Sequence, residues 1–169
     1  MSARPPRTRR NFSGEWDEIL YFYHRILYWW YNRRSRHRAL HFCNRLEPLL
    51  RLHARNHTAI KGEECWSLVF EVRGDLQKAI RHRENEIRLI ERLRRLGQAT
   101  DDYQPRDLAD RLDLLGILYH DAGHTQKAIK CLLKSKPVCA LSAIPFDGTK
   151  ILAEYAAQLG KGVMKRVSR

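Results

Sequence analysis

Apolar residues recur at spacings of three and four along most of this 169-residue chain, which is the spacing of an α-helix with one buried face. No stretch shows the two-residue alternation of a half-buried strand. The pattern therefore predicts an all-α fold of about seven helices. We expect these helices at 13–34, 36–54, 58–72, 76–96, 105–122, 125–134 and 149–160.

Glycine, proline and capping residues set the predicted helix boundaries. Three glycines are placed to end helices through the left-handed backbone conformation: Gly74, Gly97 and Gly123. Asp75 is expected to cap the helix that follows it. Pro48 predicts a kink or an early stop in the second helix, and two prolines predict a loop over 137–148.

One stretch carries a repeat of helix, glycine turn and helix. Its residues are, in order, Leu112, Leu115, Gly116, Tyr119, Gly123, Ala128 and Leu132. Their order and spacing resemble the tetratricopeptide repeat through both of its helices. The small Gly116 and Ala128 would let the two helices approach closely, while the larger residues fill the contact between them.

A weaker copy precedes this repeat by 49 residues, a longer interval than the family period of about 34. Its members are Trp66, Ser67, Phe70, Gly74 and Ala79, with Arg83 at the position of Leu132. A still weaker copy holds Ile26, Trp30 and Ala39. The resemblance implies three antiparallel helix pairs and a closing helix, stacked as a short right-handed solenoid in a single domain over 13–160.

The resemblance also implies that the first helix of each pair lines a concave groove that binds a segment of a partner protein. The implied groove residues are Tyr21, His24, Tyr28 and Tyr31, then Lys61, Glu64, Leu68 and Glu71, then Asp110, Asp113, Ile117 and His120. Such a groove is aromatic at one end and acidic at the other, which suits a partner with basic residues and an apolar anchor. The alternative is that the tyrosines belong to the core and the acids to a solvated face.

The formal net charge of +13 at pH 7 makes nucleic acid an alternative partner. Much of this charge lies in a predicted disordered basic arm over 1–12 and a basic tail over 161–169. Candidate phosphate contacts on the second helices of the pairs are Arg34, Arg36, Arg38, Arg45, Arg94 and Arg95. Glutamates alternate with the arginines of 76–96, as on a solvated helix. A protein partner therefore ranks above nucleic acid.

Aromatic residues are concentrated near the start of the chain, where ten of the sixteen lie between Phe12 and Phe42. The Tyr-Trp-Trp-Tyr run at 28–31 covers all sides of a helix, so some rings face outward unless another element covers them. Four interpretations stay open: a contact of this helix with the protein partner of the adaptor, a homodimer through this helix, an obligate small subunit of a larger complex, or burial by the arm and the second helix.

The sequence contains no signature of an enzyme or of a bound cofactor. Three histidine pairs have a spacing of four, but none forms the H-E-x-x-H motif of a zinc site, and there is no glycine-rich phosphate loop. The four cysteines form no C-x-x-C pair, which is typical of reduced thiols in the cytosol. The apolar run 19–31 is shorter than a membrane span. We predict a non-catalytic cytoplasmic adaptor with no metal, no cofactor and no membrane insertion.

Overall fold

The computed structural model describes residues 14–53, 59–97 and 105–141. These residues form six α-helices and one π-helical segment, and the described ranges contain no β-strand. The predicted all-α fold class is therefore confirmed.

Several predicted segments lie outside the described residues: the basic arm at 1–12, the seventh helix at 149–160 and the tail at 161–169. The helices divide between two compact units, Met1–His53 and Ala54–Arg169.

The Met1–His53 unit contains two α-helices joined by a π-helical segment. Helix α1 spans Glu15–Leu27, the π-helical segment spans Tyr28–Asn32, and α2 spans Arg36–His53. Buried side chains recur at helical spacing on both helices: Ile19, Phe22, Tyr23 and Ile26 on α1, and Ala39, Cys43, Leu46 and Leu50 on α2. Because α1 contacts α2, these two stripes form the core of the unit.

The first helix does not continue as an α-helix to Arg34, as its apolar pattern predicts. It changes to a π-helix at Tyr28, whose carbonyl accepts a hydrogen bond from the Arg33 N–H at 3.1 Å. The wider π turn gives the consecutive tyrosine and tryptophan rings more room around the helix axis. Arg34 then adopts a left-handed φ of 50°, and the Ser35 N–H donates to the Trp29 carbonyl at 2.8 Å before α2 begins.

The Ala54–Arg169 unit contains four described helices, and each contacts the next. Helix α3 spans Ala59–Arg73, α4 spans Leu76–Arg95, α5 spans Pro105–Asp121, and α6 spans Thr125–Leu141. Contacts join α3 to α4, α4 to α5, and α5 to α6. All these bounds agree closely with the predicted ones except the end of α6.

Two helices continue through a proline that was expected to disturb them. Helix α2 continues past Pro48, and α6 continues past Pro137, so the predicted loop over 137–148 is wrong in its first residues. A proline inside a helix removes a backbone donor and costs about 3 kcal/mol. In both helices, buried side chains lie within one turn of the proline: Leu46 and Leu50 in α2, and Ser135 in α6.

Two turns in the second unit share the same hydrogen bonds at positions 49 residues apart. Gly74 follows α3 with φ 84°, and Gly123 follows α5 with φ 77°, a conformation that glycine adopts without strain. The residue after each glycine donates its N–H to a carbonyl five residues earlier, at 2.9 Å in the first turn and 2.8 Å in the second. These bonds close the helix ends as in a Schellman motif. Asp75 caps α4 as predicted, accepting from the Lys78 N–H at 3.2 Å.

A close contact between the two helices of each pair also recurs after 49 residues. A methyl group placed on Gly116 of α5 would lie 2.7 Å from the Cγ and Cδ2 atoms of Leu132 on α6, and 3.4 Å from the Ala128 carbonyl oxygen. At the equivalent earlier position, the Ser67 hydroxyl of α3 donates to the Ala79 carbonyl of α4 at 2.9 Å. In both pairs, a small residue on the first helix sets the contact.

Replacing Gly116 by alanine tests this contact. The added methyl group meets the buried Leu132 side chain, so we expect Gly116→Ala to lower the free energy of unfolding by about 1–3 kcal/mol. Gly62→Ala in α3 is the matched control, because nothing lies within 4 Å of a methyl group there. The control should stabilise the protein by about 1 kcal/mol through helix propensity. Chemical denaturation followed by circular dichroism measures both, and equal effects would contradict the close approach.

Candidate functional site

One face of α5 carries four of the residues that the tetratricopeptide resemblance implies for a groove. Asp110, Asp113, Ile117 and His120 follow one another at spacings of three and four, which places them on one side of the helix. All four are half-buried. The positions expected to pack the repeat are buried: Leu112, Leu115, Gly116, Tyr119, Ala128 and Leu132. This face therefore carries two carboxyl groups beside an isoleucine and a histidine, and Oδ1 of Asp113 is itself buried.

Helix α3 does not offer a comparable surface. Leu68 is 1% exposed, so the groove position expected for it is wrong and the side chain belongs to the core. Glu64 is also buried, and its carboxylate lies 2.5 Å from the Lys61 ammonium. Glu71 is half-buried. The reason is that α3 is covered around most of its circumference: Ile60, Cys65, Ser67, Val69 and Val72 are buried as well.

A cluster of charged side chains joins α3, α4 and α5. Glu86 of α4 is fully buried, and its Oε2 lies 2.5 Å from Nη1 of Arg83 on the same helix. Its other oxygen, Oε1, accepts a hydrogen bond from Nε of Arg111 on α5 at 2.5 Å. Nη2 of Arg111 lies 3.6 Å from Oε2 of Glu64 on α3, the carboxylate that is paired with Lys61. Charge-assisted contacts thus connect the two helix pairs at a buried point.

Burial dominates the acid–base properties of this cluster. Burial raises the pKa of the Glu86 carboxyl, and the guanidiniums of Arg83 and Arg111 oppose the rise. Burial alone would lower the pKa of Arg111, but the Glu86 and Glu64 carboxylates outweigh it and raise that pKa. Because each charge compensates another, removing one member leaves its partner buried and poorly compensated.

Burial also raises the pKa of two side chains outside this cluster, Cys65 and Tyr119. Burial raises the pKa of the Cys65 thiol to about 12, so this thiol is protonated at neutral pH and is a poor nucleophile. The Tyr119 hydroxyl donates a hydrogen bond to Glu84 of α4. Burial, and then this hydrogen bond, raise the pKa of Tyr119. Cys43, Cys65 and Cys131 are free thiols, as the spacing of the cysteines predicts.

The aromatic positions of the weaker repeat copy pack between α3 and α4. The ring centroids of Trp66 and Phe70 are 5.6 Å apart, and those of Phe70 and His82 are 5.3 Å apart with nearly parallel planes. The His82 ring in turn lies 2.7 Å from the Glu63 carboxylate through Nδ1. Ala79 is fully buried beside this stack. These side chains connect the helices of the pair.

The groove residues expected in the first helix pair lie in the Met1–His53 unit. Tyr21, Tyr28 and Tyr31 are half-buried, and His24 is exposed. Two of these tyrosines accept hydrogen bonds from arginines: Tyr21 from Arg25 Nη2 at 3.1 Å, and Tyr28 from Arg33 Nε at 2.8 Å. This surface is therefore basic as well as aromatic.

Arginines of α2 lie over aromatic rings in the same unit. The Cζ atom of Arg38 is 4.2 Å from the centroid of the Trp29 ring, and that of Arg45 is 5.1 Å from the Phe22 ring. Both distances are within the range of a cation–π interaction. An open cleft of about 800 Å³ lies here, lined by Trp29, His37, Arg38, Leu40, His41, Phe42 and Asn44.

Sequence reasoning missed this cleft. The π turn and the left-handed Arg34 lie between Trp29 and Arg38 in the chain. Apolar periodicity does not encode either feature, so it could not predict that these two side chains meet. One signal in the sequence could have indicated the site: residues 19–46 contain six arginines and no acidic residue.

The remaining candidate arginines are exposed at helix ends and turns. Arg34 and Arg36 flank the start of α2, and Arg94 and Arg95 lie in the last turn of α4. Cations are favourable at a helix C-terminus, and the Arg95 Nε donates to the Glu91 carbonyl at 3.4 Å. The end of α4 thus has the features of a solvated helix terminus.

No cluster of three or more histidine, cysteine, aspartate or glutamate side chains that could hold a metal ion occurs in residues 14–53, 59–97 and 105–141. Over the same part of the chain, no helix is both long and apolar enough to cross a membrane. No protein-family model, curated protein or solved structure matches this chain.

Removing one charge from the buried cluster tests its role. We expect Arg83→Met to lower the free energy of unfolding by about 3–5 kcal/mol, because Glu86 loses a cation while it stays buried. Arg88→Met on the same helix is the control, since Arg88 is exposed and its Nη2 donates a hydrogen bond to the Asn85 side chain at 2.8 Å. The control should change the free energy of unfolding by about 0.5 kcal/mol or less.

A second substitution checks the physical cause of that loss. The double variant Arg83→Met with Glu86→Leu removes both charges, so it should recover a large part of the stability lost in Arg83→Met. Urea denaturation measures all four proteins. A double variant that is no more stable than Arg83→Met would show that the uncompensated Glu86 carboxylate is not the main cause of the loss.

Proposed function

We propose that this chain is a non-catalytic binding scaffold. In this proposal, the α3–α4 and α5–α6 pairs are antiparallel and stack as in a right-handed tetratricopeptide-like array. The α5 face defined by Asp110, Asp113, Ile117 and His120 receives a segment of a partner protein.

The observation that carries the proposal is the internal repeat. The glycine turns at Gly74 and Gly123 have the same hydrogen bonds, and the small residues Ser67 and Gly116 occupy equivalent contacts 49 residues apart. Repeated helix pairs that contact their neighbours form extended surfaces, and such surfaces serve mainly to bind other chains.

The chemistry of the α5 face indicates the kind of segment that it would bind. Asp110 and Asp113 favour lysine or arginine on the partner, and the half-buried Ile117 between them and His120 favours one apolar anchor. Helix α3 contributes little to this surface, because Leu68 is buried and Glu64 is engaged with Lys61 and Arg111. The binding residues are therefore expected mainly on α5.

Peptide selection with the full chain tests the proposal. We expect random peptides displayed on phage to enrich a consensus of basic residues with one apolar position. Asp110→Lys should weaken binding of the selected peptide about tenfold or more, since like charges then face each other. Ile117→Ala should weaken it about fivefold or more through lost apolar contact. Isothermal titration calorimetry measures both affinities.

Glu91→Lys on α4 is the matched control, because it makes the same charge change on a helix that is not expected to contact the partner. It should leave peptide affinity unchanged. Thermal unfolding of each variant identifies any loss that arises from the fold. A consensus without basic residues, no enrichment, or equal losses in Asp110→Lys and Glu91→Lys would refute the proposed groove.

A further inference from the structure

We propose that residues 28–45 form a binding surface for single-stranded nucleic acid, with the cleft beside Trp29 and Arg38 receiving an unpaired base. This basic aromatic surface, as we call residues 28–45, belongs to the Met1–His53 unit. The protein-binding face proposed on α5 belongs to the Ala54–Arg169 unit, so the two proposed surfaces share no residue.

The charge of the surface favours a polyanion. The sequence from 19 to 46 contains six arginines and no acidic residue. Five of these arginines are exposed in the structure: Arg33, Arg34, Arg36, Arg38 and Arg45. A run of cations that no acidic residue interrupts in the sequence attracts a phosphate backbone and gains affinity from the release of counterions. By contrast, the arginines of α4 alternate with glutamates.

The rings on this surface favour unpaired bases over a duplex. Bases of a single strand stack on aromatic rings and on guanidinium groups, whereas the base faces of a duplex are covered by their neighbours. Trp29 and Arg38 already form such a pair at 4.2 Å, and Phe42 and His41 line the same cleft with ring centroids 5.2 Å apart. A cleft of about 800 Å³ has room for a planar base.

The backbone beside the cleft is unusual in two ways. The φ of Arg34 is 50°, which is a left-handed conformation. This conformation is unfavourable for residues other than glycine, asparagine and aspartate. A π-helical turn at Tyr28–Asn32 directly precedes it. Strained residues and π turns are concentrated at functional sites. An arginine at a position suited to glycine adds a cation next to the cleft at a cost in backbone strain.

The surface is less suited to a membrane. A helix that lies on a bilayer inserts exposed large apolar side chains. Among the described residues, the exposed large hydrophobic side chains are Leu52, Leu96 and Leu133, and none of them lies in 28–45. The aromatic side chains of 28–45 are half-buried.

Fluorescence anisotropy with the full chain and a labelled oligothymidine of about 12 nucleotides tests the proposal. We expect binding that weakens linearly with the logarithm of salt concentration. Trp29→Ala should reduce affinity about 5- to 150-fold through lost base stacking. Arg38→Gln, at an exposed position, should reduce affinity and lower the salt slope by about 0.7.

Arg34→Gly separates binding from folding. Glycine relieves the left-handed strain, so the thermal midpoint should equal or exceed that of the wild type while affinity for the oligothymidine falls. The charge-matched control is Arg81→Gln, at an exposed position on α4, and it should bind as the wild type does. Asp110→Lys should also leave oligothymidine affinity unchanged, which distinguishes this surface from the α5 face.

Several outcomes would overturn the proposal. These are no binding of oligothymidine, equal affinity for a duplex with the same number of phosphates, and an equal loss of affinity in the α4 control. Displacement of the oligothymidine by polyglutamate of equal charge would instead indicate an acidic protein partner. Tight binding to anionic lipid vesicles without binding to oligothymidine would indicate a membrane surface.

Discussion

The burial of Glu86 is the constraint on which the Ala54–Arg169 unit depends. A carboxylate removed from water is costly unless cations and donors surround it. Arg83 supplies one cation from the same helix, Arg111 supplies the other from α5, and Arg111 also approaches Glu64 of α3. The charges are compensated only when α3, α4 and α5 are all in place. This makes the cluster a condition for joining the two helix pairs.

Local signals in the sequence were sufficient to predict the α-helices of the fold. Apolar spacing located the described helices, Gly74 and Gly123 marked their ends, and Asp75 marked a helix start. These signals act over one or two turns of chain, so they can be evaluated without knowing what the helix packs against. The interval of 49 residues between equivalent positions was also visible in the sequence, and the hydrogen bonds at both turns repeat at that interval.

The properties that depend on neighbouring elements were not predictable in the same way. In the sequence, Arg83 only takes the place of an apolar residue of the repeat. Its role depends on the buried Glu86, whose charge Arg83 and Arg111 compensate in the folded unit. Leu68 was expected in a groove, but α3 is buried on most of its surface. The cleft beside Trp29 depends on a π turn and a left-handed Arg34, and apolar spacing carries no information on either.

One layer distinguishes the two related helix pairs from each other, because it is uncharged in one pair and charged in the other. Leu132 and Ser135 are buried in α6 where α4 has Arg83 and Glu86, 49 residues earlier. Two pairs with identical apolar layers could swap partners, within one chain or between two chains, because either second helix would fit either first helix. Here α6 in the place of α4 would leave Arg111 without the Glu86 carboxylate. The charged layer therefore favours a single pairing order of the second helices.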